Sequence, residues 1–267
     1  MRVDDDLVRR IERNAAQAEA RHAELLASMV PASGAAAEWF DSSAFVALGA
    51  GRYVNRALAF GLGTAPAPEC VDALERFFAP RALAASAEVS PFVSGDLLRE
   101  MRRRSYGVDW FRNVYARELD DLPPRSHGVP FDIRQVSDET YDAWREVLGN
   151  DAAPGTAERA MSDESCDSRL RIPRSVHLVG TIGGEIVTTG SVRIDGDIAS
   201  IGGAATLASA RGRGAQRAMI VDRLHRARDG GASLATATAL ADGSSARNLA
   251  ALGFQLLYTQ VVLTKPL

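Results

Sequence analysis

Three apolar runs at residues 176–182, 186–194 and 198–207 constrain this chain most, because short turns join them and the third leads directly into a glycine turn. The joining turns, Gly183-Gly184 and Asp195-Gly196-Asp197, have the chemistry of tight hairpins, so the runs are expected as consecutive antiparallel strands. Beyond the glycine turn, residues 214–229 place Ala218, Met219, Val221, Leu224 and Ala227 at helical spacing, and Gly230-Gly231 closes that segment. A strand at 234–239, a helix at 244–252 ended by Gly253 and a last strand at 255–263 follow. The order calls for an α/β architecture in which helices flank a mixed, mostly antiparallel sheet.

The first half carries a looser version of the same order. An amphipathic helix at 4–29 places Leu7, Ile11, Ala15, Ala18 and Leu25 on its apolar face, and the stretch from Pro31 to Ala37 ends it. Strands at 43–48 and 53–60, a helix at 69–78, a strand at 87–91, a helix at 96–106 and a strand near 110–115 come next. A chain of 267 residues suits two domains, each with its own core. The expected division is a degenerate first domain at 1–120, a linker at 121–130 marked by Pro123-Pro124, and a second domain at 131–267. The second domain is expected to open with a strand at 131–136 and a helix at 141–148, followed by a polar, acid-rich stretch at 150–171.

Composition narrows the function classes. A formal net charge of −3 offers no basic field for nucleic acid or an anionic membrane. The two cysteines, Cys70 and Cys166, lie in no metal-ligand or redox spacing, so no metal site is expected. The N-terminus, with Asp4, Asp5 and Asp6, is acidic where a secretory leader is basic, and no apolar run approaches membrane-spanning length. A cytoplasmic protein is the expectation.

The segment Arg211-Gly-Arg-Gly-Ala-Gln-Arg217 lies where a strand hands over to a helix. Helix N-termini leave main-chain amides without intrahelical partners, and their dipoles favour anions. Gly212 and Gly214 permit unusual dihedrals and close ligand approach, while Arg211, Arg213 and Arg217 add cationic donors. Other phosphate motifs fit poorly: a P-loop ends in Gly-Lys-Ser/Thr, and a dinucleotide fingerprint needs a small residue where Arg217 stands.

In this setting the chain resembles the GNAT superfamily of N-acetyltransferases, whose signature is Arg/Gln-x-x-Gly-x-Gly/Ala. The match is Arg211-Gly-Arg-Gly214-Ala-Gln216, with Gln216 in place of the small last residue. The resemblance covers about residues 131–265 and includes Ala204-Ala-Thr-Leu207 before the turn, Gly243 to Asn248 after it, and Leu252-Gly-Phe254. It implies tandem GNAT-like domains, with acetyl-coenzyme A as acyl donor and an amine, small molecule or peptide, as acceptor. It further implies that Thr206 and Leu207 offer main-chain groups to the pantetheine arm, and that the turn from Arg211 through Gly212, Arg213, Gly214, Ala215 and Gln216 to Arg217 holds the pyrophosphate. Ser245 and Asn248 would lie beside the arm's far end. Read by itself, Ser245 is also an ordinary helix cap.

Catalytic residues are harder to find. Superfamily members often carry a tyrosine one residue after the asparagine position, where this chain has Leu249. Tyr258 is the nearest tyrosine in the expected region, and a phenol there would serve as acid for the departing thiolate. The strand at 198–207 has no carboxylate to act as base, and His22, His127, His177 and His225 sit in unpromising contexts. The alternative is an acyl-coenzyme A binding or sensing protein without catalysis. In the first half, the counterpart turn from Gly61 to Pro68 loses two amides to Pro66 and Pro68, so no coenzyme is expected there. The acid-rich stretch at 150–171 is a candidate lining for a cationic acceptor. An oligomer is compatible with all of this.

Overall fold

The computed structural model describes residues 3–125 and 131–267. The later part of the expected linker, including His127, lies outside the described residues. The chain divides into two compact units, one comprising residues 1–114 and 257–267 and the other residues 115–256.

In the first unit a long helix, α1 (Asp5–Met29), starts at Asp4, whose carboxylate accepts from the Leu7 amide. It packs on strands β1 (Ala36–Phe40), β2 (Ser43–Ala47) and β3 (Asn55–Leu58). Its buried face carries Val8, Ile11, Ala16, Ala20, Ala23 and Leu26, about one residue round from the expected stripe, and includes the charged Glu12. β1 pairs antiparallel with β2, and β2 with β3. Helix α2 (Ala67–Phe78) then crosses to β4 (Ala85–Val89), which is parallel to β3. Helix α3 (Gly95–Arg103) leads into β5 (Gly107–Glu118), which counts with the first unit as far as Val114. The core gathers Phe45, Phe60, Leu74, Phe77, Phe78, Leu97 and Met101.

The second unit contains β6 (Asp132–Gln135), α4 (Asp138–Leu148), α5 (Ala157–Leu170), β7 (Ser175–Ile182), β8 (Glu185–Asp195) and β9 (Ile198–Thr206). These four strands pair antiparallel in chain order. Helix α6 (Ala215–Asp229) crosses to β10 (Leu234–Ala239), which is parallel to β9, and α7 (Ser244–Ala251) follows. Both units thus carry three antiparallel strands, a turn, a helix and a strand parallel to the third. The α/β class, with mostly antiparallel mixed sheets flanked by helices, is as expected.

The unit boundaries differ from the expected ones. The division falls inside β5 and inside the last strand, β11 (Gln255–Lys265), instead of at the Pro123-Pro124 segment. Residues from Leu257 onward complete the first unit, where β11 pairs antiparallel with β4 over Val261–Lys265 and Leu263 joins the core. The proline pair had marked only a break in regular structure. Unit membership follows the strands with which a segment pairs, here β4 for the end of β11. Residues 150–171, read as an open polar stretch, contain helix α5, and β1 occupies part of what read as loop.

Candidate functional site

At the end of β9, a short 3-10 turn at Ala208–Ala210 leads through Gly212 (φ 74°) and Gly214 (φ 84°) into α6. Both glycines adopt the left-handed conformation that other residues resist, and a Cβ built on either meets nothing within 4 Å. The conformation favours glycine, and the space beside it is open. Gly214 caps α6 without a side-chain hydrogen bond. Among the described residues, no main-chain amide from Gly212 to Arg217 donates a hydrogen bond. Arg213 and Arg217 are exposed and make no ion pair among the described residues, while Arg211 Nε donates to the Thr206 carbonyl at 3.3 Å.

The Gln216 departure has a structural account. Its Nε2 donates to Ser245 Oγ at 3.3 Å and its Oε1 accepts from Asn248 Nδ2 at 2.6 Å. Three expected site residues therefore form one chain from the start of α6 to α7, leaving the Gln216 main-chain amide open. Ser245 is not a cap: Gly243 takes the cap position of α7, and Ser245 lies in the first turn. Leu249, standing where a tyrosine was sought, is buried in the core with Phe254 and Leu252.

Beside the turn, β9 and β10 share a ladder only over Ile198–Ser200 and Leu234–Thr236, although β9 continues to Thr206 and β10 to Ala239. On its other edge β9 is bulged. Ser191 pairs with Gly202, but Thr189 pairs with Ala205, so β9 holds one more residue than β8 across the interval. Gly203 takes φ 54° there. Thr189 Oγ1 donates to the Gly203 carbonyl and accepts from the Ala205 amide, and Thr188 Oγ1 donates to the Ala205 carbonyl at 2.9 Å. Leu207 commits its amide to Val187 and its carbonyl to Ala210. Both main-chain groups of Leu207, one of the two residues expected to face the pantetheine arm, are thus engaged within the chain. Sequence reading missed Thr188 and Thr189, whose hydroxyls bond across this bulge. Gly202-Gly203 was the one signal that pointed there.

No protein-family model matches the sequence, and no curated protein matches it. Among solved structures, a GCN5-related N-acetyltransferase from Kribbella flavida superposes with a TM-score of 0.64 at 21% identity, covering 93% of this chain and 95% of that one. The fold is that of the GNAT acetyltransferases. A tandem GNAT protein from the clavulanic acid biosynthesis pathway matches with a TM-score of 0.58 at 14% identity, over 82% of this chain and 73% of that chain. A GCN5-related N-acetyltransferase from Sphaerobacter thermophilus gives 0.52 at 22% identity, over 74% and 64%.

Within this GNAT fold the first unit's counterpart turn is differently equipped. The main-chain amides of Thr64 and Ala65 donate to Asp41 Oδ2 at 2.8 and 3.0 Å. A Cβ on Gly63 would fall 1.7 Å from that oxygen, so the glycine makes room for the chain's own carboxylate.

Tyr258 lies in the first unit, buried, and donates to Glu12 Oε1 at 2.8 Å. Burial and the Glu12 carboxylate push its phenol pKa further up, which opposes a ready exchange of its proton. Its observed partner gives it the task of solvating a buried carboxylate. His177 is buried against Trp144, with Nε2 3.1 Å from the Arg169 carbonyl, and burial lowers its pKa to about 4. His225 Nε2 lies 2.9 Å from the Pro123 carbonyl. In α5, Arg159 is held by Glu146 and Asp163, and Arg145 also approaches Asp163. Asp163 therefore contributes less negative field than the sequence suggested. Among the described residues, no group of three or more His, Cys, Asp or Glu could hold a metal, and no helix is long and apolar enough to cross a membrane.

Proposed function

We propose that this chain is an acyltransferase that moves an acetyl or similar acyl group from coenzyme A to an amine, small molecule or peptide, by direct transfer. The run of undonated amides from Gly212 to Arg217 carries this reading. Six consecutive N–H groups at a helix N-terminus, with open space beside two glycines and three arginines nearby, suit a pyrophosphate. The unladdered edge of β9 offers main-chain groups to the amide-bearing arm of the coenzyme. Gln216, Ser245 and Asn248 would border the same ligand.

A non-catalytic acyl-coenzyme A binder is the second reading, favoured by the buried Leu249 in place of a tyrosine and by a β9 without carboxylates. Calorimetry with acetyl-coenzyme A tests the shared part, with micromolar binding expected. Thiol release across a panel of amines separates the two. Saturable binding without release for any acceptor would favour the binder, and no binding would remove both.

A further inference from the structure

Arg223, on α6, is one of the largest fully buried side chains of the protein, at 2% exposure, and forms no ion pair among the described residues. Its Nε donates to the Met219 carbonyl at 3.1 Å, and its Nη1 is shared between the carbonyls of Ser191 at 3.3 Å and Gly202 at 3.0 Å. Ser191 and Gly202 are the last rung before the β9 bulge. A Cβ on Gly190 would come within 2.7 Å of Met219 Cγ and 3.1 Å of Arg223 Cζ, so the glycine on β8 leaves room for Met219 and, beside it, the guanidinium.

A buried cation without a direct ion pair, with only the neighbouring Asp222 charge to offset its desolvation, is a poor device for stability. Taking one from water costs several kcal/mol, and well-packed apolar replacements of buried ions are often neutral or stabilising. Desolvation pushes the Arg223 pKa down to about 10, which leaves it charged at neutral pH. What the guanidinium supplies, and an apolar side chain could not, is a donor between two carbonyls of neighbouring strands at the start of an irregularity.

On the coenzyme reading, an arm that starts at the phosphate turn and follows β9 backwards would bring its thioester end to the bulge. From Leu207, beside the phosphate turn, β9 runs back to Gly203 over about 13 Å at the usual strand rise. We propose that Arg223 is a positioning residue for the acyl end of the bound thioester: it clamps the Ser191 and Gly202 carbonyls, holds β9 in its bulged form, and so sets where the acyl group lies. This rests on the coenzyme reading above and adds a residue remote from the phosphate turn.

The test uses Arg223→Met and Arg223→Lys in the full chain, with two readouts. Amide hydrogen exchange without ligand reports the clamp: exchange from Gly203 to Ala205 should rise about tenfold or more in Arg223→Met, while β7 stays protected. Calorimetry with coenzyme A and with acetyl-coenzyme A reports positioning. Coenzyme A affinity should change by less than about threefold, while any preference for the acetylated form disappears in Arg223→Met and is partly kept by Arg223→Lys. Should Arg223→Met fail to fold, Arg223→Lys carries both readouts. Unchanged exchange at the bulge overturns the clamp, and an unchanged acetyl preference in a variant with altered exchange overturns the positioning role. A wild-type preference of unity also overturns that role. Wild-type protein that binds neither form removes the coenzyme reading, a result distinct from all of these.

Discussion

Glu12 is a carboxylate inside the first unit, 3% exposed, that accepts hydrogen bonds from the neutral Tyr258 hydroxyl and the Gln260 amide at 2.8 to 2.9 Å. Glu88 on β4 faces it with a like charge, while Arg112 on β5 draws its pKa down; Arg56 and Arg112 both pair with Glu88. Desolvation dominates and raises the Glu12 pKa from 4.5 to about 7. Because the folded value is the higher one, the folded state binds the extra proton between those limits. The associated stability is fully present below about pH 4.5 and is lost as pH rises through 7. At about 1.4 kcal/mol per unit, the whole effect is on the order of 3 kcal/mol.

Glu12→Gln keeps the shape and removes the titration. Between pH 5 and pH 8 the stability of the variant relative to wild type should therefore rise by about 2 to 3 kcal/mol. Urea unfolding at the two pH values, followed by far-UV circular dichroism, measures the gap directly. Wild type alone is a poor witness, because His177 in the second unit slopes the other way. Its folded pKa is depressed from 6.5 to about 4, so its contribution is present above 6.5 and lost as pH falls. A gap that stays constant to within about 0.5 kcal/mol would show that Glu12 ionises as if exposed, and the burial argument would fail. Tyr258→Phe should shift the transition to higher pH, since it removes a donor to the carboxylate.

Gly214→Ala should cost about 1 to 2 kcal/mol of stability for its left-handed backbone, yet weaken coenzyme binding far more than that strain explains, because its Cβ meets no protein atom. Unchanged calorimetric affinity in the folded variant would sink the turn assignment. One coenzyme per chain is expected, because Asp41 already occupies the Thr64 and Ala65 amides in the turn before α2, and a calorimetric stoichiometry of two would contradict that. Coenzyme affinity should fall as salt rises, since the arginines at 213 and 217 are exposed, and a flat salt titration would exclude their participation. The Cys166 thiol, pushed up to about 12 by burial, should resist aromatic disulfide reagents at pH 8 until the protein unfolds; rapid native-state labelling would refute that.

The second unit was legible where local chemistry and tertiary structure agree. The hairpin turns placed β7, β8 and β9, the glycines placed the start of α6, and β10 was bounded to the residue at 234–239. The glycine turn before α6 was legible because positive φ, as at Gly212 and Gly214, is a backbone preference written in residue type. The losses have a common physical cause. Membership of β11 in the first unit depends on hydrogen bonds between Val261–Lys265 and Ala85–Val89, partners more than 150 residues apart, and nothing local encodes such a pairing. Helix α5 has many charged residues and few apolar ones, so it lacks the apolar stripe that reveals a helix, and a buried Arg159 bridging Glu146 and Asp163 anchors it instead. The same blindness hid Arg223 and Glu12. Both occupy helix positions where a charge reads as a solvated face, and only packing shows that these charges point inward. A polar residue on the inner face of an amphipathic helix is therefore the observation to pursue in chains of this fold: Arg223 donates to the Ser191 and Gly202 carbonyls beside a strand irregularity and Glu12 accepts from Tyr258 and Gln260, contacts that an apolar residue of the same size could not make.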